Sequence, residues 1–389
     1  VGVARLRVGS GNVLANTLFF SPGTVLEMRV AAGEVASFGT SGMTVRDGGA
    51  GGIGYFADNA EGAEINQSIP LKHRDIGFGG NNYLNVGLTG RNGYGLTLSG
   101  TGGLGRILYG NLLVVTNNSN GTLVIDDDLV SSSTRGADGI NLWSTGDVTL
   151  DGSLSIFSPT QGTGNTLNRN SGSGSGQFFI TGSQALASRH TGNNVLSAGT
   201  LKIRSISALA TGTITIGGGS LDYAGIAGAG GNETVSQPLN LANTAYLYAN
   251  QPSTAARLLV QTPSGTITAS GANVKTFSIG GSSDKDNEIA SAIIDNSVTN
   301  ITNLQKRGAG TWLLSGSNTF TGTTTISGGE LKLQAATGRN VLPDVRPLVF
   351  GVDTFTNSAA GTLWLLGENN AASTETTGTL TPTAGAARI

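Results

Sequence analysis

Residues 306–333 read KRGAGTWLLSGSNTFTGTTTISGGELKL, and three short units within this stretch each begin with glycine. The leading glycines follow one another after 12 and then 7 residues. A weaker copy at residues 199–223 has nearly the same intervals, 13 and then 7. Short units that repeat with a period near 20 residues predict a solenoid whose coils stack on their neighbours. The units begin at Gly310, Gly322 and Gly329 in the first stretch and at Gly199, Gly212 and Gly219 in the second.

Apolar and polar residues alternate after each leading glycine, from about residue 95 to residue 380. The second and fourth following positions are mostly Leu or Ile, and the position between them is usually polar. This period of two predicts strands with one buried face. The predicted buried positions include Leu96, Leu98, Leu123, Ile125, Leu201, Ile203, Ile214, Ile216, Leu331, Leu333, Leu363 and Leu365. The predicted outward positions include Thr97, Lys202, Thr215, Asp222 and Lys332.

Residues 308–333, GAGTWLLSGSNTFTGTTTISGGELKL, resemble the autotransporter-associated β-strand repeat of large bacterial surface and secreted proteins. Residues 289–310 are similar to the strand and Lys-Gly-x-Gly approach that precedes this repeat, and residues 361–389 are similar to a segment that often follows it. The resemblance implies an all-β fold, a right-handed parallel β-helix (β-solenoid) of the passenger type.

The sequence pattern divides the chain into two parts. Residues 91–389 are predicted to form a β-solenoid with the repeats clearest at 199–223 and 306–333, and residues 1–90 to form an irregular N-terminal part of the solenoid or a cap. Clusters of Gly, Ser, Asn and Asp predict loops at Asn165–Gly176 and Gly280–Asn287.

Composition excludes several classes of function. The chain has 389 residues, 62 of them glycine, with 12% charged residues and a formal charge of -2. This balance predicts no nucleic-acid partner, because nucleic acids bind basic surfaces. Cysteine is absent, which excludes disulfides and thiolate metal sites.

No apolar run approaches the roughly 18 residues of a membrane span. We expect a protein of the bacterial cell surface or the extracellular space, with its signal peptide removed.

The best candidate catalytic set is weak. Asp126, Asp127 and Asp128 follow a predicted strand, and Arg106 or Arg135 is the nearest basic partner for chemistry on an acidic polysaccharide. Histidine is scarce, with only His73 and His190 in the chain. We therefore predict no catalytic residue, no cofactor and no metal site, and interpret Asp284–Glu288 as a solvated turn.

Two large apolar residues occupy positions at which other units carry Lys, Thr or Asp. Leu313 and Trp364 stand in the middle of their strand units and are predicted to face outward as self-association contacts.

The sequence thus favours a non-catalytic extracellular structural protein, a β-solenoid subunit of a bacterial surface fibre, filament or sheath. Its predicted partners are copies of itself, with surface glycans as a second class. The alternatives are a β-helix carbohydrate-active enzyme (polysaccharide lyase or hydrolase) and a glycan-binding adhesin fragment.

Overall fold

The computed structural model describes residues 193–382 except for 210, 337–338, 352–360 and 368–372, and before residue 193 it describes strands alone. The chain separates into two compact units. Unit 1 comprises Val1–Leu201 and Ser207–Gly212, and unit 2 comprises Lys202–Ile206 and Thr213–Ile389. In sequence, the division falls within the strand Thr200–Ile203 and within a turn of 3-10 helix at Ile206–Ala208.

The described strands of unit 1 pair in parallel within three sheets. The sheet orders are β1-β3-β6-β9-β12-β15-β18-β20, β4-β7-β10-β13-β16-β19 and β2-β5-β8-β11-β14-β17. The strands are β1 (Arg5–Val8), β2 (Leu18–Phe20), β3 (Val25–Val30), β4 (Ala36–Ser37), β5 (Met43–Val45), β6 (Gly51–Asn59), β7 (Ser68–His73), β8 (Asp75–Phe78), β9 (Tyr83–Gly90), β10 (Gly95–Gly100), β11 (Arg106–Tyr109), β12 (Leu112–Ser119), β13 (Leu123–Ile125), β14 (Asp128–Ser131), β15 (Gly139–Leu142), β16 (Val148–Leu150), β17 (Leu154–Ser155), β18 (Thr166–Arg169), β19 (Gln177–Ile180) and β20 (Asn193–Leu196).

Unit 2 is built in the same way, and β21 (Thr200–Ile203) precedes its paired strands. Its first sheet has the order β22-β25-β28-β31, its second β23-β26-β29-β32-β34-β36-β38, and its third β24-β27-β30-β33-β35-β37. The strands are β22 (Ile214–Ile216), β23 (Ser220–Tyr223), β24 (Asn232–Val235), β25 (Leu239–Leu241), β26 (Ala245–Ala249), β27 (Arg257–Val260), β28 (Thr266–Ala269), β29 (Lys275–Gly280), β30 (Asn287–Ile289), β31 (Ala292–Ile293), β32 (Thr302–Lys306), β33 (Thr311–Leu314), β34 (Thr324–Ile326), β35 (Gly329–Gln334), β36 (Leu348–Phe350), β37 (Gly361–Leu366) and β38 (Leu380–Pro382).

These parallel sheets confirm the predicted all-β fold, a parallel β-helix. Successive strands of the chain belong to different sheets, while each strand pairs with its counterpart one coil away. Apolar side chains of the same register position consequently stack into columns. One column in the third sheet of unit 2 consists of Val260, Ile289, Leu314 and Leu333, all fully buried or nearly so. Full burial of each such side chain contributes about 1.5–3 kcal/mol.

The predicted buried face is confirmed for most of the alternating positions whose burial the structure describes. Leu201, Ile203, Ile214, Ile216, Leu331 and Leu333 are at most 1% exposed. Lys202, Thr215 and Lys332, which separate them, are half-buried. The parity of the strands is therefore the one that the sequence indicates.

Two positions contradict that pattern. Leu365 was expected in the core but is 53% exposed, because β37 is the last strand of the third sheet among the described residues. Asp222 was expected to face outward but is only 6% exposed. Its carboxylate accepts a hydrogen bond from the Asn250 amide at 2.8 Å, so a neighbouring coil supplies the polar partner that burial requires.

The coil length also differs from the prediction. Asn303 and Thr323, which are hydrogen-bonded between adjacent coils, are 20 positions apart in the chain. The corresponding separation is 27 for Asn273 and Asn300 and 32 for Asn250 and Ser282. The period near 20 thus holds in the quoted stretch, while loops lengthen other coils.

The predicted loops give one agreement and one correction. Residues 281–286 lie between β29 and β30, in agreement with the loop expected at Gly280–Asn287. The loop expected at Asn165–Gly176 contains β18, since Thr166–Arg169 pairs in parallel with β15 and β20. The alternation in TLNR is too short to stand out from the polar residues around it.

Two glycines show why the coil corners need this residue. Gly329 has a φ of 61°, in the left-handed region that L side chains rarely adopt. Gly322 lies so close to the neighbouring coil that a Cβ atom would be 2.2 Å from the Thr302 carbonyl oxygen. The leading glycines of the repeat therefore serve tight turns and close backbone approach.

Candidate interaction surface

The third sheet of unit 2 places the two predicted contact residues in one row. In the register of β33, β35 and β37, Lys332 pairs with Leu313 on one side and with Trp364 on the other. The row continues through Glu288, which pairs with Leu313. All these positions have the outward parity of their strands, because side chains alternate between the two faces of a sheet.

The two apolar members of this row differ in exposure. Trp364 is 48% exposed, whereas Leu313 is half-buried between its neighbours in the sheet. Leu365, next to Trp364 on the same strand, is also exposed. The alternation predicted the direction of Trp364 correctly, and it missed Leu365 because parity alone gives no information about where a stack of strands ends.

Ion pairs neutralise the charged part of the surface. The Lys332 ammonium lies 2.7 Å from an Asp286 carboxylate oxygen and 3.9 Å from Glu330. The Arg257 guanidinium lies 3.0 Å from the Glu288 carboxylate. Asp286 and Glu288 each have a basic partner. The solvated turn predicted at Asp284–Glu288 is only partly correct: Asp284 and Asp286 are exposed, but Asn287 is fully buried and begins β30, which also contains the half-buried Glu288.

A polar core residue fixes the strand beneath this surface. The Asn287 side-chain oxygen accepts hydrogen bonds from the Gln251 amide at 2.5 Å and from the Leu258 backbone N–H at 2.9 Å. Its amide group donates to the Thr311 carbonyl at 3.3 Å. Asn287 thereby ties three successive coils together through hydrogen bonds in the core.

Two lysines also occupy core positions, which the alternation of apolar and polar residues does not predict. Lys275 and Lys306 are fully buried. Lys275 donates to the carbonyls of Gly271, Ala272 and Asn273 at 3.2, 2.6 and 2.6 Å. Lys306 donates to three carbonyls at coil corners. The sequence feature that could have predicted them is a Lys at a buried position of a strand, next to a turn that contains glycine. Backbone carbonyls in such a turn lack strand partners and can accept hydrogen bonds from the lysine.

Burial also changes the acid–base properties of the second sheet. Loss of solvation raises the pKa of Asp222, although the hydrogen bond from Asn250 and the charge of Lys202 act in the opposite direction. Burial together with the nearby Glu233 carboxylate raises the pKa of Tyr223 to about 12. Asp222 is thus a structural carboxyl inside the fold.

The candidate catalytic set is only partly described. Arg106 pairs in register with Asp75 on one side and with Asp128 on the other, so these three residues form one row across β8, β11 and β14. Asp126, Asp127 and Arg135 lie outside the described residues, as does His190. The row brings together two members of the set that the sequence singled out.

Two features are absent from the described residues. In this part of the chain, no three His, Asp or Glu side chains are grouped closely enough to hold a metal ion. Nor do the same residues form any helix with the length and apolar character needed to cross a bilayer.

Comparison with known proteins gives one match. The family described as Passenger-associated-transport-repeat matches residues 304–333. No curated protein and no solved structure matches the chain. The matched residues extend from β32 to β35, the strands that pair as β32 with β34 and β33 with β35. The stretch from Leu304 to Leu333 thus matches the passenger-associated transport repeat, in agreement with its resemblance to the autotransporter-associated repeat.

Proposed function

We propose that the chain is a non-catalytic structural part of a secreted or surface-displayed bacterial protein, and that it assembles with copies of itself. The observation that supports this proposal is the passenger-associated transport repeat, which lies within a parallel β-solenoid. Repeats of this family suggest secretion or surface display.

The contacts within unit 2 suit a mechanical role. Each coil is joined to the next by parallel backbone hydrogen bonds, by apolar columns and by polar side chains such as Asn287 and Lys306. Stability in such an array is approximately a sum of contributions from the repeats and from the joints between neighbours. Such a subunit suits extension along the coil stack because the several backbone hydrogen bonds between each two adjacent coils share the load at that level.

Surface display is tested on cells that make the native protein. Antibodies against residues 193–382 are expected to label intact cells or to detect the protein in the culture medium. A cytoplasmic enzyme serves as the control for lysis. The proposal would be contradicted if the protein were detected only in samples in which the cytoplasmic enzyme shows that the cells have lysed.

Assembly is tested with the purified protein. Negative-stain electron microscopy and light scattering are expected to show particles larger than one chain. A protein that remains monomeric across the accessible concentration range would contradict the structural subunit and favour an isolated adhesin or enzyme.

A second candidate function is action on an acidic polysaccharide. The register of Asp75, Arg106 and Asp128 favours it, because two acidic residues occupy the strand positions on either side of a basic one, and these residue types suit acid–base chemistry on an acidic sugar. Pectin and alginate, with and without Ca²⁺, are suitable substrates. We expect no cleavage; cleavage by the wild-type chain that Asp128→Asn abolishes and Asp75→Asn reduces would establish the enzyme instead.

A further inference from the structure

The outer face of the second sheet in unit 2 presents no charged side chain along five neighbouring strands. The outward positions of β26, β29, β32, β34 and β36 hold only tyrosine, hydroxyl, amide and aliphatic side chains and glycine. The lysines of these strands, Lys275 and Lys306, are buried in the core. The third sheet differs, since Glu288, Glu330 and Lys332 occupy its outer face. The face of the second sheet is therefore suited to an uncharged ligand.

Two tyrosines lie side by side on the first of these strands. Tyr246 and Tyr248 alternate with buried residues on β26, and their ring centroids are 6.1 Å apart. Both residues are half-buried, so part of each side chain is accessible from outside. Tyrosine combines a flat apolar ring with a polar hydroxyl group. The pair can thus contact the C–H groups of a sugar ring and also hydrogen-bond to the sugar.

Arg307 holds the tyrosine pair in place. Its guanidinium carbon lies over the Tyr246 ring, 6.0 Å from the centroid. Gly280 provides the space, because a Cβ atom there would be 2.9 Å from Arg307 Cγ and 3.3 Å from Tyr248 Cδ1. Arg307 is only 5% exposed, so the outer surface presents the tyrosines and not the cation. Rings that are fixed before binding lose little freedom when a ligand binds.

Uncharged hydrogen-bonding groups continue from the tyrosines across the next strands. The row that begins at Tyr246 runs in register through Ser278, Gln305 and Thr325. Because strands in a sheet are about 4.8 Å apart, this row is about 14 Å long and can contact a short oligosaccharide. Gln305 and Thr325 are half-buried, and no hydrogen bond within the described part of the chain engages their side chains. Their donors and acceptors are therefore available to a ligand.

One hydroxyl group in this row lacks a partner. Ser278 has outward parity but is fully buried beside Tyr246, and its Oγ atom forms no hydrogen bond within the described residues. A buried polar group without a partner is unfavourable. A sugar hydroxyl that reaches Ser278 past the edge of Tyr246 would supply the missing hydrogen bond.

We propose that the neutral strip, formed by Tyr246, Tyr248, Gln305 and Thr325, binds a neutral polysaccharide. The chain of sugars lies across the strands, with sugar rings against the tyrosines and sugar hydroxyls bonded to the amide and hydroxyl side chains. Sites for small ligands commonly combine aromatic side chains with a few placed polar groups in this way. The inference goes beyond the proposed structural role, and the site does not depend on self-assembly.

The test applies the full chain to an array of neutral and acidic glycans. Binding is expected on neutral glycans alone, and salt should leave it unchanged because no exposed charge takes part. Isothermal titration with the best-bound glycan then compares variants. Tyr246→Ala is expected to raise the dissociation constant about tenfold or more, and Gln305→Ala about fivefold. Trp364→Ala is the matched control, since it removes an exposed aromatic residue of the third sheet and should leave binding unchanged.

Circular dichroism and thermal unfolding establish that each variant is folded, and Gln305→Ala removes a side chain outside the core. Absence of binding to every neutral glycan, or binding that both strip variants leave intact, would overturn the proposal. So would a Gln305→Ala variant that loses self-assembly but not glycan binding, which would assign the strip to contacts between copies. A wild type that binds the glycan as a monomer would support this site and contradict the proposed assembly.

Discussion

The Lys306 ammonium donates a hydrogen bond to the Gly328 carbonyl oxygen at 2.8 Å, although the two residues are 22 positions apart in the chain. It also donates to the carbonyls of Arg307 and Gly308, at 2.9 Å each. The side chain is fully buried, and its charge therefore links two coils from inside the core.

Replacement of this cation should be costly. In Lys306→Met the carbonyls lose their donor while the aliphatic volume is largely kept, so we expect the free energy of unfolding to fall by about 3 kcal/mol or more. Urea unfolding followed by circular dichroism measures the change. Lys332→Met is the control, because a partly exposed ion pair contributes only about 0–1 kcal/mol. Equal losses in the two variants would contradict the bridging role of Lys306.

Neighbouring residues on β35 test the parity of the strand. Leu331 is fully buried, and Leu331→Ala is expected to lower the free energy of unfolding by about 2–5 kcal/mol through the cavity that it leaves. Lys332→Ala should cost less than about 1 kcal/mol. The same urea titration gives both values, and a larger loss for Lys332→Ala would show that the buried face is assigned wrongly.

A pair of glycines tests close approach between coils. A Cβ atom at Gly322 would clash with the Thr302 carbonyl oxygen, whereas one at Gly230 would meet no atom within 4 Å. Gly322→Ala is therefore expected to lower the free energy of unfolding by about 4 kcal/mol or more, in the range of severe core disruption. Gly230→Ala should leave stability unchanged or raise it by up to about 1 kcal/mol. Thermal unfolding distinguishes the two, and a neutral Gly322→Ala would refute the contact.

The buried carboxyl of Asp222 predicts a dependence on pH. Its folded-state pKa lies above the ordinary value of 3.8, so its contribution to stability is fully present below that value and is lost as the pH rises through the raised pKa. Asn mimics the protonated form and keeps an oxygen that can accept from Asn250. Asp222→Asn should thus raise the melting temperature at pH 7 and have little effect below pH 3.8. A variant that is less stable than the wild type at pH 7 would contradict this sign.

Much of the fold follows from local pattern, and the exceptions have physical causes. Alternation in units such as TLKI predicts which side of a strand is buried, because that side depends on residues of the same strand. The burial of Asp222 depends instead on Asn250 in another coil, and the exposure of Leu365 on where strand stacking ends. The row of Asp75, Arg106 and Asp128 depends on register between strands that are far apart in sequence. These three features cannot be predicted from the sequence of one short segment, because each depends on residues elsewhere in the chain.

The bond between Lys306 and Gly328 has a consequence for how the chain folds. The matched repeat, residues 304–333, contains both partners of this bond and most residues of two pairs of strands from neighbouring coils. The contacts between two neighbouring coils are thus encoded by one short stretch of sequence. Their formation requires the closure of only a small loop. Low sequence separation speeds folding, so the repeat is expected to be an early nucleus in unit 2 from which further coils are added in either direction.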